Sequence, residues 1–396
     1  PIVCSLTFQK NGRTLMGNDA LSAVTVLEGL GVEALGVNCS LGPEELLPVV
    51  GEFVKAAHVP VLVQANAGLP ELSGGKPLYP LHPESFADSA EKMADMGVKL
   101  MGGCCGTNPD FIRMLCERLH NKKWNKPDNP MLTAAASSRQ TVLFDKGIRI
   151  VGQRINPVSC PNMMQGLQDG DLNFLYEEAL LQKQAGADIL DINVCTGQSN
   201  EAEIMVKTVE FIQSMVPIAL QLDSEDYQVM EAGARIVNGK PILNSVNGSE
   251  QSKKRILPLA RKYGACVIGM TLDEKGIPDS AEGRLRIAES ILDTALSYGI
   301  RKEDLIIDCI AESASQQPGA AGITLQSISL IKQELGLKTI LGISNISHGM
   351  KNRPALNAAF LAMALGAGLD CAILDPCSQM IAGTIEAYRL ITGEAE

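Results

Sequence analysis

Short apolar runs alternate with amphipathic helical stretches along the chain, the pattern of parallel βα units. In residues 1–120 four runs read as strands: Ile2–Phe8, Ala34–Cys39, Val61–Ala65 and Lys99–Cys104. Helical patterns near Ala20–Gly29, Pro43–Ala57 and Glu84–Met96 separate them, and a last one runs from Pro109 to about Leu119. Pro43 and Pro109 stand where a first helical turn tolerates proline, because the N–H that proline lacks has no intrahelical partner there. Residues 121–142, NKKWNKPDNPMLTAAASSRQTV, are polar and then small. They read as a linker lying on the surface of the next domain.

From Gly147 onward eight more strand candidates follow: Arg149–Gly152, Ile189–Asn193, Ile218–Leu222, Ile242–Asn244, Cys266–Thr271, Leu305–Asp308, Thr339–Ser344 and Ala372–Leu374. Each precedes a helix-compatible segment, and eight such units in about 250 residues make a (β/α)8 barrel. A doubly wound open sheet would need a glycine-rich phosphate turn after its first strand, and Gly152-Gln153-Arg154-Ile155-Asn156 is not one. The predicted fold class is therefore α/β. A complete C-terminal (β/α)8 TIM barrel over 143–396 is preceded, over 1–120, by four βα units, the second half of another barrel. Four units cannot close a barrel, so their open strand edges leave room for a homo-oligomer or a split partner chain. The chain opens at Pro1 directly on a strand-like run and is expected to be a fragment, a processed form or an excised piece.

Charge narrows the partners. Asp plus Glu is 45 against 34 Lys plus Arg, a net charge of −11, and no basic run stands out. No nucleic acid and no anionic membrane is expected as the main partner. The longest apolar stretch, Ala355–Leu374, is interrupted by Asn357 and Asp370, so it predicts a buried helix and a strand rather than a membrane span. Eleven cysteines, an odd number with two adjacent, fit a reducing compartment, and the chain is expected to be cytoplasmic.

The polar residues of the second barrel converge. Asn193, Asp223, Asn244, Asp308 and Asn345 each fall at, or one residue beyond, the end of a predicted strand, where barrel active sites lie. One alone would be read as a helix cap or turn residue. Five on separate strands make a site. Carboxamides donate and accept, and carboxylates accept twice. Such a set suits a pterin edge with its amino group, ring N–H and carbonyl. No nucleophile has a partner base, and His348 reads as a solvated loop residue. Positioning and hydrogen-bonded activation are expected, not covalent catalysis.

Gly152-Gln153-Arg154-Ile155-Asn156-Pro157, Ala187–Val194, Leu222-Asp223-Ser224, Asn244–Asn247, Thr271–Pro278, Leu341–Ser347 and Asn352-Arg353-Pro354 occur in the order of the pterin-binding methyltransferase family. From about residue 147 to 390 the chain resembles the folate module of cobalamin-dependent methionine synthases and the methyltetrahydrofolate:corrinoid protein methyltransferases. The resemblance implies that Asn193, Asp223, Asn244, Asp308, Asn345 and Arg353 form the 5-methyltetrahydrofolate site. Asp223 and Asn345 would be catalytic, with Asn345 at N5. The methyl would pass to cobalamin held on another domain or protein. Dihydropteroate synthases share the barrel but carry a Ser-Arg-Pro-Gly phosphate loop that this sequence lacks. Gln153 replaces the family's usual Glu, Cys195 a common Gly and Cys309 a common Pro, and Val158–Gln165 departs from a Thr-Gly pattern.

In the first segment Gly102-Gly103-Cys104-Cys105-Gly106-Thr107 follows one strand and Asn38-Cys39-Ser40-Leu41-Gly42-Pro43 ends another. Strand ends meet in a barrel, and three thiolates with one open position suit catalytic zinc. These motifs resemble the zinc-dependent homocysteine S-methyltransferases, which implies Cys39, Cys104 and Cys105 as ligands and homocysteine as substrate. Cys4, Cys116, Cys160, Cys266, Cys371 and Cys377 read as packing residues. The expected function is a methyltransferase module of the methionine synthase type. The alternatives are a stand-alone corrinoid-protein methyltransferase with a relic half barrel, or a non-catalytic folate-binding protein.

Overall fold

The structure is a computed structural model and describes residues 1–73, 76–157, 161–169, 172–197 and 199–393. Cys160, with the start of the Val158–Gln165 segment, lies outside the described residues. The chain forms two compact units, Pro1–Met131 with Ser138–Gln140, and Leu132–Ser137 with Thr141–Glu396.

The first unit holds β1 (Val3–Leu6), β2 (Ala34–Asn38), β3 (Val61–Ala65), a small antiparallel pair β4 (Glu71–Ser73) and β5 (Lys76–Leu78), and β6 (Leu100–Gly103). The parallel sheet runs β1-β2-β3-β6, with β1 and β6 at its edges. Helices Ala20–Gly29, Pro43–Ala56, Pro83–Met96 and Pro109–Leu119 alternate with its strands. Asp19 caps the first by accepting from Ser22 N–H, and Gly97 ends the third with φ +119°. Phe8 packs edge-on against Phe53, and Phe86 against Phe111, each pair at 5.4 Å between ring centroids. The predicted half barrel is therefore an open four-stranded sheet with its own core.

The second unit begins with a hairpin, β7 (Ala134–Ala136) and β8 (Thr141–Leu143). A closed parallel barrel follows: β9 (Arg149–Ile155), β10 (Ile189–Asn193), β11 (Ala219–Asp223), β12 (Ile242–Asn247), β13 (Cys266–Met270), β14 (Leu305–Asp308), β15 (Lys338–Gly342) and β16 (Cys371–Leu374). Side chains alternate as the pleat requires. Leu190, Ile192, Leu220 and Leu222 belong to the large core beneath the helices. Ile189, Ala219, Ile242, Ile268, Ile306 and Ile340 belong to a separate inner cluster.

Part of the expected linker is structural. Ala135, Val142 and Phe144 join the inner barrel cluster, and Ala136 pairs with Lys240 just before β12. The Cys266 thiol, at the start of β13, donates to Ala134 O at 3.3 Å. The hairpin thus covers the N-terminal end of the barrel with small apolar residues. Beside it the buried Lys240 ammonium pairs with Asp304, which also receives Arg301. Ala355–Leu374 contributes to helix Arg353–Gly366 and to β16, and no helix among the described residues is long and apolar enough to cross a membrane.

Candidate functional site

At the C-terminal mouth of the barrel a cleft of about 760 Å³ is lined by Asp191, Asp223, Asn244, Asp308 and Asn345 among others. Strand register explains the convergence: Asn193 lies beside Asp223, and Asp223 beside Asn244, on consecutive strands. Asn193 is not itself a lining residue. Its Nδ2 donates to Asp223 Oδ2 at 2.9 Å, and its Oδ1 accepts from Cys195 N–H at 2.9 Å, so it orients Asp223 from behind.

Arg353 also stands off the cleft wall. Its Nε donates to Ser347 Oγ at 3.1 Å and its Nη2 to Ser344 O at 3.0 Å. These bonds brace the short 3-10 turn Ile343–Ser347 that carries Asn345. Gly342 opens that turn, where a Cβ would sit 2.9 Å from Asn345 Nδ2, so a larger residue would push that amide aside. Gln153 reaches the cleft and accepts from Ser344 Oγ at 3.3 Å. Cys195 is exposed, and Cys309 is buried.

The floor is electrostatically unusual. Burial raises the Asp223 carboxyl above its ordinary value, against the bond from Asn193. Burial likewise holds Asp191 well above the usual carboxylate range, with the Asp223 charge adding to it, although Gln221 Nε2 donates to Asp191 Oδ1 at 2.6 Å. Asp308 is pushed up to about 6 by burial, opposed by the Ile310 N–H on its Oδ1 at 2.7 Å. Three carboxyls in one desolvated cleft favour a ligand with several N–H donors, which returns the hydrogen bonds that burial removed.

Asp191 was not among the residues singled out as site residues from the sequence. The signal was present: Ile189, Asp191 and Asn193 alternate along β10, so Asp191 shares the inward face with Asn193.

In the first unit Cys39 follows β2, and Cys104-Cys105 follow β6. The three sulfurs lie within 4.8 Å of one another, with Cys39 Sγ and Cys105 Sγ 3.7 Å apart. Tetrahedral zinc with bonds of about 2.3 Å places its sulfurs about 3.8 Å apart, so the set fits that ion. The Ser40 N–H lowers the Cys39 thiol against the opposing effect of burial, with help from Cys105, Cys104 and Asn66. Burial pushes Cys104 up to about 11, and its bond with Cys39 adds to that.

The backbone around the three thiols is held by strained geometry and hydrogen bonds. Cys39 and Ser40 both have φ +62°, a left-handed geometry uncommon outside glycine. Cys39 N–H and Cys104 N–H donate to Gln64 O and Ala65 O at the end of β3. The buried Asn66 accepts from Cys105 N–H at 3.1 Å. Gly106, at φ +80°, leaves room for the Tyr79 ring, since a Cβ there would lie 2.2 Å from Tyr79 Cγ. Neither Asn66 nor Tyr79 belongs to the two cysteine motifs, and neither was singled out from the sequence.

Comparison with known proteins gives two family matches. Residues 1–119 match the homocysteine S-methyltransferase model, and residues 157–375 match the pterin binding enzyme model. Methionine synthase of Mycobacterium tuberculosis (strain ATCC 25618 / H37Rv) is 30% identical over 391 residues, covering 94% of this chain and 33% of that protein. Methionine synthase of Mycobacterium leprae (strain TN) is 30% identical over 397 residues, with the same coverage, 94% and 33%. The chain thus spans about a third of the length of the curated relatives it matches. Among solved structures, 7,8-dihydropteroate synthase from Vibrio fischeri ES114 superposes with a TM-score of 0.52 at 16% identity, over 66% of this chain and 99% of that one. Dihydropteroate synthase from Xanthomonas albilineans in complex with 7,8-dihydropteroate gives 0.51 at 17% identity, over 65% and 98%. At that identity the likeness is one of fold.

Proposed function

The chain belongs to the pterin-binding enzymes, with a homocysteine S-methyltransferase segment ahead of the barrel, and from that membership we propose that it is a methyltransferase module of the methionine synthase type. The barrel binds 5-methyltetrahydrofolate and gives up its methyl to a reduced cobalamin carried by another domain or protein. The observation that carries this reading is the cleft in which Asp191, Asp223, Asn244, Asp308 and Asn345 meet. The desolvated carboxyls and the Asn244 amide hold the pterin edge. Asn193 and Arg353 support Asp223 and the Asn345 turn from outside the cleft.

Asn345 sits on the turn above the floor and is assigned to N5. In the transfer the N5–CH3 bond breaks, its electron pair stays on nitrogen, and N5 takes up a proton supplied by solvent through the open cleft. A reduced corrinoid held on another domain or protein would supply the pair for the new bond to carbon. A neutral amide donor stabilises the developing nitrogen lone pair without bringing a charge of its own.

Cys39, Cys104 and Cys105 are assigned as zinc ligands and homocysteine as the substrate of this half site. Bound zinc would lower the pKa of a substrate thiol and so supply a thiolate near neutral pH. Asn66 and the β3 carbonyls hold the ligand loops in place. Ten described cysteines carry free thiols, which suits a reducing compartment, the cytoplasm. The sulfur spacing supports a metal-competent half site, and zinc stoichiometry separates it from a relic, which should bind little metal.

The deciding experiment mixes the full chain with 5-methyltetrahydrofolate and reduced cobalamin and follows methylcobalamin by its absorbance. Methyl transfer is expected. An occupied pterin site, shown by calorimetry, with no methylcobalamin formed would reject the transferase reading and leave a folate-binding protein.

A further inference from the structure

We propose that Arg284 is a positioning residue for the pterin site, acting through Asp308 although it lies outside the cleft. The inference rests on the assignment of Asp308 to pterin binding. Arg284 is fully buried, on helix Ala281–Ser297. Its Nε donates to Pro278 O at 3.1 Å. Nη1 donates to Cys309 O at 2.6 Å and to Ile310 O at 2.7 Å, with Thr324 Oγ1 at 3.3 Å. Nη2 pairs with Glu312 Oε2 at 2.5 Å. The guanidinium fork therefore grips the loop that follows β14 at successive carbonyls and at one carboxylate.

The loop needs such a grip. Ile310 has φ +55°, and a β-branched residue in the left-handed region is an outlier. Local strain of this kind persists only where its surroundings over-determine it. Thr324 adds to the hold, since its hydroxyl bonds Ile310 O at 2.9 Å. In this conformation the Ile310 N–H points back at Asp308 Oδ1, 2.7 Å away. With Oδ1 so fixed, Oδ2 is the oxygen left for a ligand. Cys309 O and the Ile310 N–H belong to one planar peptide unit, so loss of the Arg284 bond to Cys309 O would let that plane turn, take the N–H away and free the carboxylate to rotate. Arg284 holds the main-chain oxygen of Cys309 rather than its side chain, so the replacement of a common proline at 309 leaves the device intact.

The test is a double-mutant cycle on the full chain, read by calorimetry with 5-methyltetrahydrofolate. Arg284→Gln is expected to weaken binding about tenfold in the wild-type background, while in Asp308→Ala the same change costs about twofold or less, because residues in one hydrogen-bond network couple. Arg284→Lys keeps the charge but loses the fork, so its loss should be intermediate. Equal losses in both backgrounds would overturn the proposal. If Arg284→Gln does not fold, Arg284→Lys replaces it in the cycle and the same ratio decides. Amide exchange of ligand-free protein gives a reading independent of folate: the Ile310 N–H should exchange faster in the Arg284 variant while the barrel strands stay protected. Unchanged exchange there overturns the proposal by itself. A wild type that binds no methyltetrahydrofolate while Ile310 exchange still responds would sink the assignment of the site, not the clamp.

Discussion

Burial of the Asp308 carboxyl carries a cost to stability, and replacing it should expose that cost. Its carboxyl rises from 3.8 to about 6 in the folded chain, chiefly through burial. A group whose folded pKa is raised binds more protons folded than unfolded between those two values, so stability falls as pH rises through that window and is level above it. Each pKa unit is worth about 1.36 kcal/mol, so a shift of about two units costs about 3 kcal/mol at pH 7.5 and about 1 kcal/mol at pH 4.5. Asp308→Asn cannot ionise, and its carbonyl can still accept from Ile310 N–H. The ligand-free variant should therefore gain stability over wild type, by about 3 kcal/mol at pH 7.5 and about 1 kcal/mol at pH 4.5. Urea unfolding at the two pH values, followed by circular dichroism, reads the difference directly. The same variant should bind 5-methyltetrahydrofolate at least about tenfold more weakly, because a charged acceptor is worth about 1.5–3 kcal/mol. A stability change that is equal at both pH values, or a loss at both, would refute the claim that a desolvated carboxylate is the source.

Four further outcomes follow from the same geometry. Asp223→Ala removes a floor carboxyl and leaves Asn193 Nδ2 without its partner; calorimetry should show methyltetrahydrofolate affinity falling by about tenfold to a hundredfold. Cys105→Ser should reduce bound zinc from one per chain to well below one, measured by metal analysis after dialysis, with pterin binding unchanged. Gly106→Ala forces a Cβ into Tyr79 at a positive φ, and zinc affinity should drop by about tenfold while the barrel melts as before. Lys240→Met leaves the buried Asp304 carboxylate with Arg301 as its charged partner and the weak Cys266 thiol bond, and should destabilise the chain by about 3–5 kcal/mol in a denaturant titration; a change below about 1 kcal/mol would show that the pair is solvated.

Strand positions were readable because the signal is local. Ile189–Asn193 and Leu305–Asp308 have in the structure the bounds that their apolar runs predict, and the other barrel strands differ by a few residues at one end or both. The hairpin was not readable. Ala134-Ala135-Ala136 has no alternation and weak strand preference, and it becomes a strand because the open end of a barrel offers Lys240 as a partner and a buried surface to cover. Arg284 was equally hidden, since an arginine on an amphipathic helix reads as solvated until its helix is packed against the loop it holds.

The sequence by itself determined the α/β alternation, the eight barrel strands, the polar residues at their ends and the two cysteine motifs, because each is written in neighbouring residues and their spacing. Tertiary structure alone decided which of those polar groups face the cleft and which stand behind it. Asn193 and Arg353 carry the same residue chemistry as lining groups, yet they act as supports. Burial is a property of the assembled barrel, and so are the raised carboxyls of Asp191, Asp223 and Asp308, since desolvation depends on every strand that surrounds a side chain and not on the strand that bears it.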